Sequence, residues 1–182
     1  MDAHVTREVS PPRPSLLELS VALSPWTHIK RVRLVRSQIV SNDIDAAEPS
    51  KVTFGFDAGT TLDREKELLH VRALLTVSAG DLVHITAEFA VEYAVDKVGL
   101  SFSDEIVTAF GRMNGIYNAW SYWREYVQSI TTRMGLPPLT MPLMTAMSLL
   151  DYYAAKDKPT DAPQAPELQQ QNSPRLGDAT TL

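Results

Sequence analysis

The chain has 182 residues and a net charge of −5, which fits one domain of ordinary size plus tails and argues against a dedicated nucleic-acid binder. It contains no cysteine, so disulfides, thiolate metal sites and cysteine nucleophiles are excluded. Apolar residues make up 44%, enough for a core, yet no run approaches the ~20 apolar residues of a membrane span.

Residues 1–14 are polar and proline-dotted and read as a disordered lead-in without the basic-then-apolar layout of a signal peptide. The expected location is therefore the cytoplasm. The domain proper is expected over 15–156. Ser15-Leu-Leu-Glu18 has capping-box spacing and opens a short helix to Leu23, which Pro25 stops. Ile29 to Val40 reads as a strand of imperfect alternation, followed by a loop over 41–50. A second strand, Lys51 to Asp57, puts Val52, Phe54 and Phe56 on one face, and a charged turn follows over 58–65.

Two longer strands alternate. Leu69, Val71, Ala73, Leu75 and Val77 oppose His70, Arg72, Thr76 and Ser78; Val83, Ile85, Ala87, Phe89, Val91 and Tyr93 oppose Leu82, His84, Thr86, Glu88 and Glu92. Ala79-Gly80-Asp81 is the hairpin turn between them. One apolar and one polar face define an antiparallel sheet covered on one side.

The cover comes from the C-terminal half. Asp104-Glu105 starts a helical stretch, with an interruption expected at Asn114-Gly115. Trp120, Trp123, Val127, Ile130 and Met134 then recur at helical spacing as one apolar stripe. Gly135 and Pro137-Pro138 end that helix. A greasy crossing follows, and a last short helix carries Met147, Leu149, Leu150 and Tyr153. The fold class is α+β: a four-stranded antiparallel sheet packed on two C-terminal helices, with a short extra N-terminal helix. The tail, 157–182, is rich in proline and glutamine and reads as disordered.

Loops are ordinarily polar, so the crossing is built to cover an apolar surface or to offer one. Leu136, Leu139, Met141, Leu143, Met144, Met147 and Leu150 are the candidate binding surface. Aromatic faces and flexible thioethers accommodate varied sequences without fixed hydrogen bonds. Tyr117, Trp120, Trp123 and Tyr126 divide between that groove and a helix or subunit interface. The alternative is that all of these residues are core.

No phosphate loop, zinc-protease helix, nucleophile elbow or EF-hand appears, and nothing in the sequence supports an enzyme or a cofactor. His70 is expected to pair near Ala90 and His84 near Thr76, as solvated strand histidines rather than metal ligands. Glu88 and Glu92 share the polar face, where solvation is the expectation and not catalysis. The basic run His28-Ile-Lys-Arg-Val-Arg-Leu-Val-Arg36 is a protected strand edge, an acidic partner's contact or, least of the three, a nucleic-acid contact.

Trp120-Ser-Tyr122-Trp-Arg124-Glu125, followed by Leu136-Pro137-Pro138-Leu139-Thr-Met141, resembles the SecB family of export chaperones. That family has a Phe-Pro-Tyr-Ala-Arg-Glu helix and then a Phe-Pro-x-Leu-x-Leu crossing. The resemblance covers Ile29 to Tyr153. It implies a homotetramer, a dimer of dimers, acting as an ATP-independent holdase that keeps clients unfolded in apolar grooves. The clients would be export precursors, or an antitoxin as in the SecB-like chaperones of toxin–antitoxin systems. It also implies Glu88 as a contact for the motor protein SecA. The chain departs from the pattern at Arg36, amid Arg31 and Arg33, where the family carries an acid, and in the replacement of Phe-Asp-Ala-Leu by Ala146-Met-Ser-Leu149. A dedicated scaffold for one partner is the alternative.

Overall fold

A computed structural model describes residues 13–42 and 52–157. Most of the expected lead-in (1–14), loop (41–50) and tail (157–182) lies outside the described residues.

Helix α1 (Leu16–Leu23) opens with the predicted reciprocal cap. The Glu18 carboxylate accepts from the Ser15 N–H at 2.7 Å while the Ser15 hydroxyl accepts from the Glu18 N–H at 3.3 Å. At Pro25 the chain tightens into a 3₁₀ turn and enters β1 (Thr27–Ser41).

The imperfect alternation of β1 has a structural cause. Its pairing with β4 (Val83–Val95) skips Lys30 and Val35 at two register shifts. Each inserted residue flips the downstream side chains to the other face. Arg31, Arg33 and Arg36 thereby stand opposite Glu92, Ala90 and Glu88, while Ile29, Val32 and Leu34 stand opposite the inward Tyr93, Val91 and Phe89.

The sheet order is β1-β4-β3-β2, all antiparallel, with β2 at Val52–Asp63 and β3 at Leu68–Ala79. The expected turn over 58–65 is strand as far as Asp63, because alternation continues through Ala58, Thr60 and Leu62. The chain turns only afterwards, through Glu67 at a φ of 54°. The β3–β4 hairpin also pairs two residues further on than expected. Ala79 faces Val83, so His70 stands opposite Glu92 and His84 opposite Ser78. A shift of two preserves the faces, and every inward residue named above on these two strands is buried.

On the apolar face lies one continuous helical run. Helix α2 (Asp104–Phe110) passes through a π-helical turn, Gly111–Gly115, into α3 (Ile116–Arg133). The expected break at Asn114-Gly115 is therefore a change of helical pitch. Gly111 backs onto Thr60 and Gly115 onto Val71, so closely that a Cβ at either would collide. The glycines bring the helix down onto β2 and β3 instead of ending it. Tyr93 anchors the same turn: it donates to the Asn114 carbonyl at 3.4 Å and accepts from Asn118 Nδ2 at 2.9 Å. Burial pushes its phenol up to about 12. Asn114 in turn donates to Ser24 at 2.6 Å, tying α1 to the helical layer.

Helix α3 ends as its sequence directs. Gly135 takes a φ of 76°, and the N–H groups of Leu136 and Gly135 return to the Thr131 and Thr132 carbonyls. This is the double hydrogen-bonded glycine cap. Helix α4 (Ala146–Lys156), capped by Thr145, completes the helical layer.

Candidate functional site: an apolar groove beside β2

The segment between α3 and α4 retraces α3 in an extended path. It has no secondary structure of its own, and three α3 side chains satisfy its backbone. Thr131 Oγ1 accepts from the Leu139 N–H at 3.1 Å, Arg124 Nε donates to the Met141 carbonyl at 2.9 Å, and Trp120 Nε1 donates to the Pro142 carbonyl at 2.9 Å. Leu136 and Met141 turn inward and are buried, with Leu139 packed at the margin of the core. Those three residues hold the segment down.

Beyond Pro142 the chain lifts away from α3. Leu143 is 75% exposed. Between it and the sheet edge opens a groove of about 370 Å³. Buried Phe56 and Trp120 form its floor, and Phe54, Leu143, Met144 and Tyr152 form its walls. The aromatics are mutually fixed: Trp120 meets Phe54 and Phe56 edge-on at 5.6 and 6.1 Å, and Phe56 lies against Tyr152 at 3.8 Å. Ser148 and Tyr152, four apart on the Thr145-capped α4, face it, and Met144 joins them from the residue before the cap.

Of the predicted surface, the structure thus gathers Leu143, Met144 and Trp120. Met147 is 63% exposed but outside the groove, and Leu150 is half-buried. Trp123 is fully buried and stacks on Tyr126 at 6.1 Å, both edge-on to Phe89. Tyr117 lies exposed on the outer side of α3. Phe54, Phe56 and Tyr152 complete the groove without having been assigned to it from sequence. The signal that could have found them is the pair of phenylalanines on alternate positions of a strand that proves to be the sheet edge.

Glu88 is not solvated. It is 3% exposed, with one carboxylate oxygen bound by Arg72 Nε and the other by Arg36 Nε at 2.8 Å. The Arg72 hydrogen bond outweighs desolvation, and the two arginine charges add to it, so the carboxyl stays below its usual range. Among the described residues no cluster of His, Asp or Glu could hold a metal ion, and no helix is long and apolar enough to cross a membrane.

A four-stranded sheet, one long helical run, an extended crossing and a final helix together define the SecB-like fold. A solved structure that shares it is the SecB-like chaperone of Mycobacterium tuberculosis in complex with a ChAD peptide from the HigA1 antitoxin. It aligns over 71% of this chain and 96% of its own length, at 24% identity and a TM-score of 0.62. A protein of unknown function from Streptococcus agalactiae aligns over 64% of this chain and 97% of its own, at 10% identity and a TM-score of 0.37, too distant to bear on the fold. No protein-family model and no curated protein matches the sequence.

Proposed function

We propose that this chain is an ATP-independent holdase of SecB-like fold, acting in the cytoplasm, that binds extended apolar segments of unfolded polypeptides in the groove between β2, the crossing and α4. The observation that carries this reading is the groove itself. Aromatic and thioether walls stand open to solvent beside a sheet edge, with no charged side chain among the lining residues. Such a surface binds by area and shape, and so accepts many sequences. Among the described residues β2 has no strand partner on its outer side, and its outward backbone groups, apart from those of Phe56 that Tyr152 takes, would offer hydrogen bonds to an extended chain whatever its side chains.

Assembly into a dimer of dimers belongs to the same proposal. Ile29 and Leu34, on the apolar side of edge strand β1, are exposed in the single chain, as is Tyr117 on α3, and subunit contacts would cover them.

The second reading is a dedicated binder of one antitoxin. It is favoured by the M. tuberculosis structure, whose chaperone was solved with an antitoxin peptide. A panel of unrelated unfolded proteins separates the two. A holdase suppresses the aggregation of most members without ATP, whereas a single-partner binder suppresses none of them and is sought through the genes beside its own.

A further inference from the structure

We propose that the polar face of the sheet, on the side away from the groove, is a docking surface for an acidic polypeptide segment. The two bulges of β1 place Arg31, Arg33 and Arg36 on this face, and Arg72 joins them from β3. The acids among them are Glu88 and Glu92, which leaves an excess of cations in a chain whose total charge is −5. The other acids of the face pair elsewhere: Asp57 with Lys156 at 3.2 Å and Asp63 with Lys66 at 2.9 Å. Arg33 has no ion-pair partner among the described residues.

The internal pairs orient the arginines without using them up. Arg36 and Arg72 each give Glu88 their Nε, and a guanidinium has further donors on its terminal nitrogens. Both side chains remain about 70% exposed, at 71% and 67%. Glu88 therefore acts as a buried peg that holds two forks in place, their free ends toward solvent. Beside it opens a cavity of about 540 Å³ with Gln38, Thr86 and the half-open Leu74 at its border, room for an acidic side chain flanked by an apolar one.

Carboxylates suit this surface better than a nucleic acid does. Among the described residues the face carries no Phe, Tyr or Trp, and its aromatic side chains are the imidazoles of His28, His70 and His84, so bases would find no large stacking platform. An extended polypeptide repeats its side chains on one side every ~7 Å, the repeat with which Arg31, Arg33 and Arg36 occupy alternate ladder positions. The sign of the surface also disfavours a basic partner.

The test is fluorescence anisotropy of a labelled glutamate-rich peptide, with a lysine-rich peptide of equal length and single-stranded and duplex oligonucleotides as comparisons. The intact chain should bind the acidic peptide, more weakly as salt rises, and should ignore the basic one. Arg33→Glu, at a side chain with no ion-pair partner to lose among the described residues, should weaken acidic-peptide binding by about fivefold or more. Suppression of client aggregation should be unchanged in that variant, which keeps this surface distinct from the groove. Acidic-peptide binding that is absent, or indifferent to Arg33→Glu, overturns the proposal. Tighter, Arg33-dependent binding of an oligonucleotide also overturns it and reassigns the face to phosphate.

Discussion

The hydroxyl of Tyr152 holds both backbone groups of Phe56, accepting from its N–H at 3.2 Å and donating to its carbonyl at 3.0 Å. Because β2 is the last strand of the sheet, those groups face the side where a further strand would lie. One tyrosine on α4 thus takes the place of a strand partner, within the wall of the groove. Tyr152→Phe keeps the wall and removes the hydrogen bonds. Its urea midpoint should fall by an amount equivalent to about 1 kcal/mol, while client affinity stays level or rises as the edge becomes available. Weaker client binding would show that the hydroxyl contacts the client instead.

The crossing passes from a buried anchor to an exposed groove wall over three residues. Met141 is buried and Leu143 exposed. Met141→Ser should cost roughly 2–5 kcal/mol in chemical unfolding, as large-to-small core changes do. Leu143→Ser should move stability by no more than about 0.5 kcal/mol, yet reduce aggregation suppression. Equal suppression by both variants and the parent chain would show that Leu143 does not contact the client.

In the sequence the crossing is readable as an apolar surface, because its leucines and methionines fall where a loop should be polar. Which of them point in is not readable. That depends on Thr131, Arg124 and Trp120 reaching across from α3, and no periodicity encodes those bonds. The two central strands are fully readable from alternation, since a period of two survives an error of two in register. β1 is blurred by its bulges, which look like noise until the pairing is known. Phe54 and Phe56 fall on the correct face but not beside Trp120, because strand order sets that neighbourhood. The burial of Glu88 escapes for the same reason: its arginines come from two different strands.

Gly115 makes the cost of the helix–sheet approach measurable. A side chain there meets Val71, so Gly115→Val should destabilise by about 1–3 kcal/mol through overpacking. Gly135→Ala, which meets no atom but sits at a φ of 76°, should cost about 1 kcal/mol through backbone strain alone. Thermal melts of both variants check the pair, and a neutral Gly115→Val would contradict the close approach.

Glu88 should give stability an acid-side dependence. Its folded carboxyl is depressed, so the folded state favours the ionised form. That contribution is complete above the unfolded carboxylate value and fades as pH falls through the lower folded value. Glu88→Gln should therefore be less stable than the parent near neutrality, by about 1 kcal/mol given its solvent-exposed arginine partners. The two should converge in acid. Urea unfolding of both proteins across the acid range measures it, and a gap that widens as pH falls would contradict the ion-pair account.

The central claim is that the groove beside β2 receives unfolded polypeptide. Site-specific photo-crosslinking tests it most directly, with the photoreactive side chain at Leu143, in the groove, or at Val21, an exposed apolar position on α1, and a chemically unfolded test protein diluted in without ATP. The account predicts client adducts from position 143 and none above background from position 21. Equal labelling at the two positions, or none at either while aggregation is still suppressed, would place client capture elsewhere on the molecule.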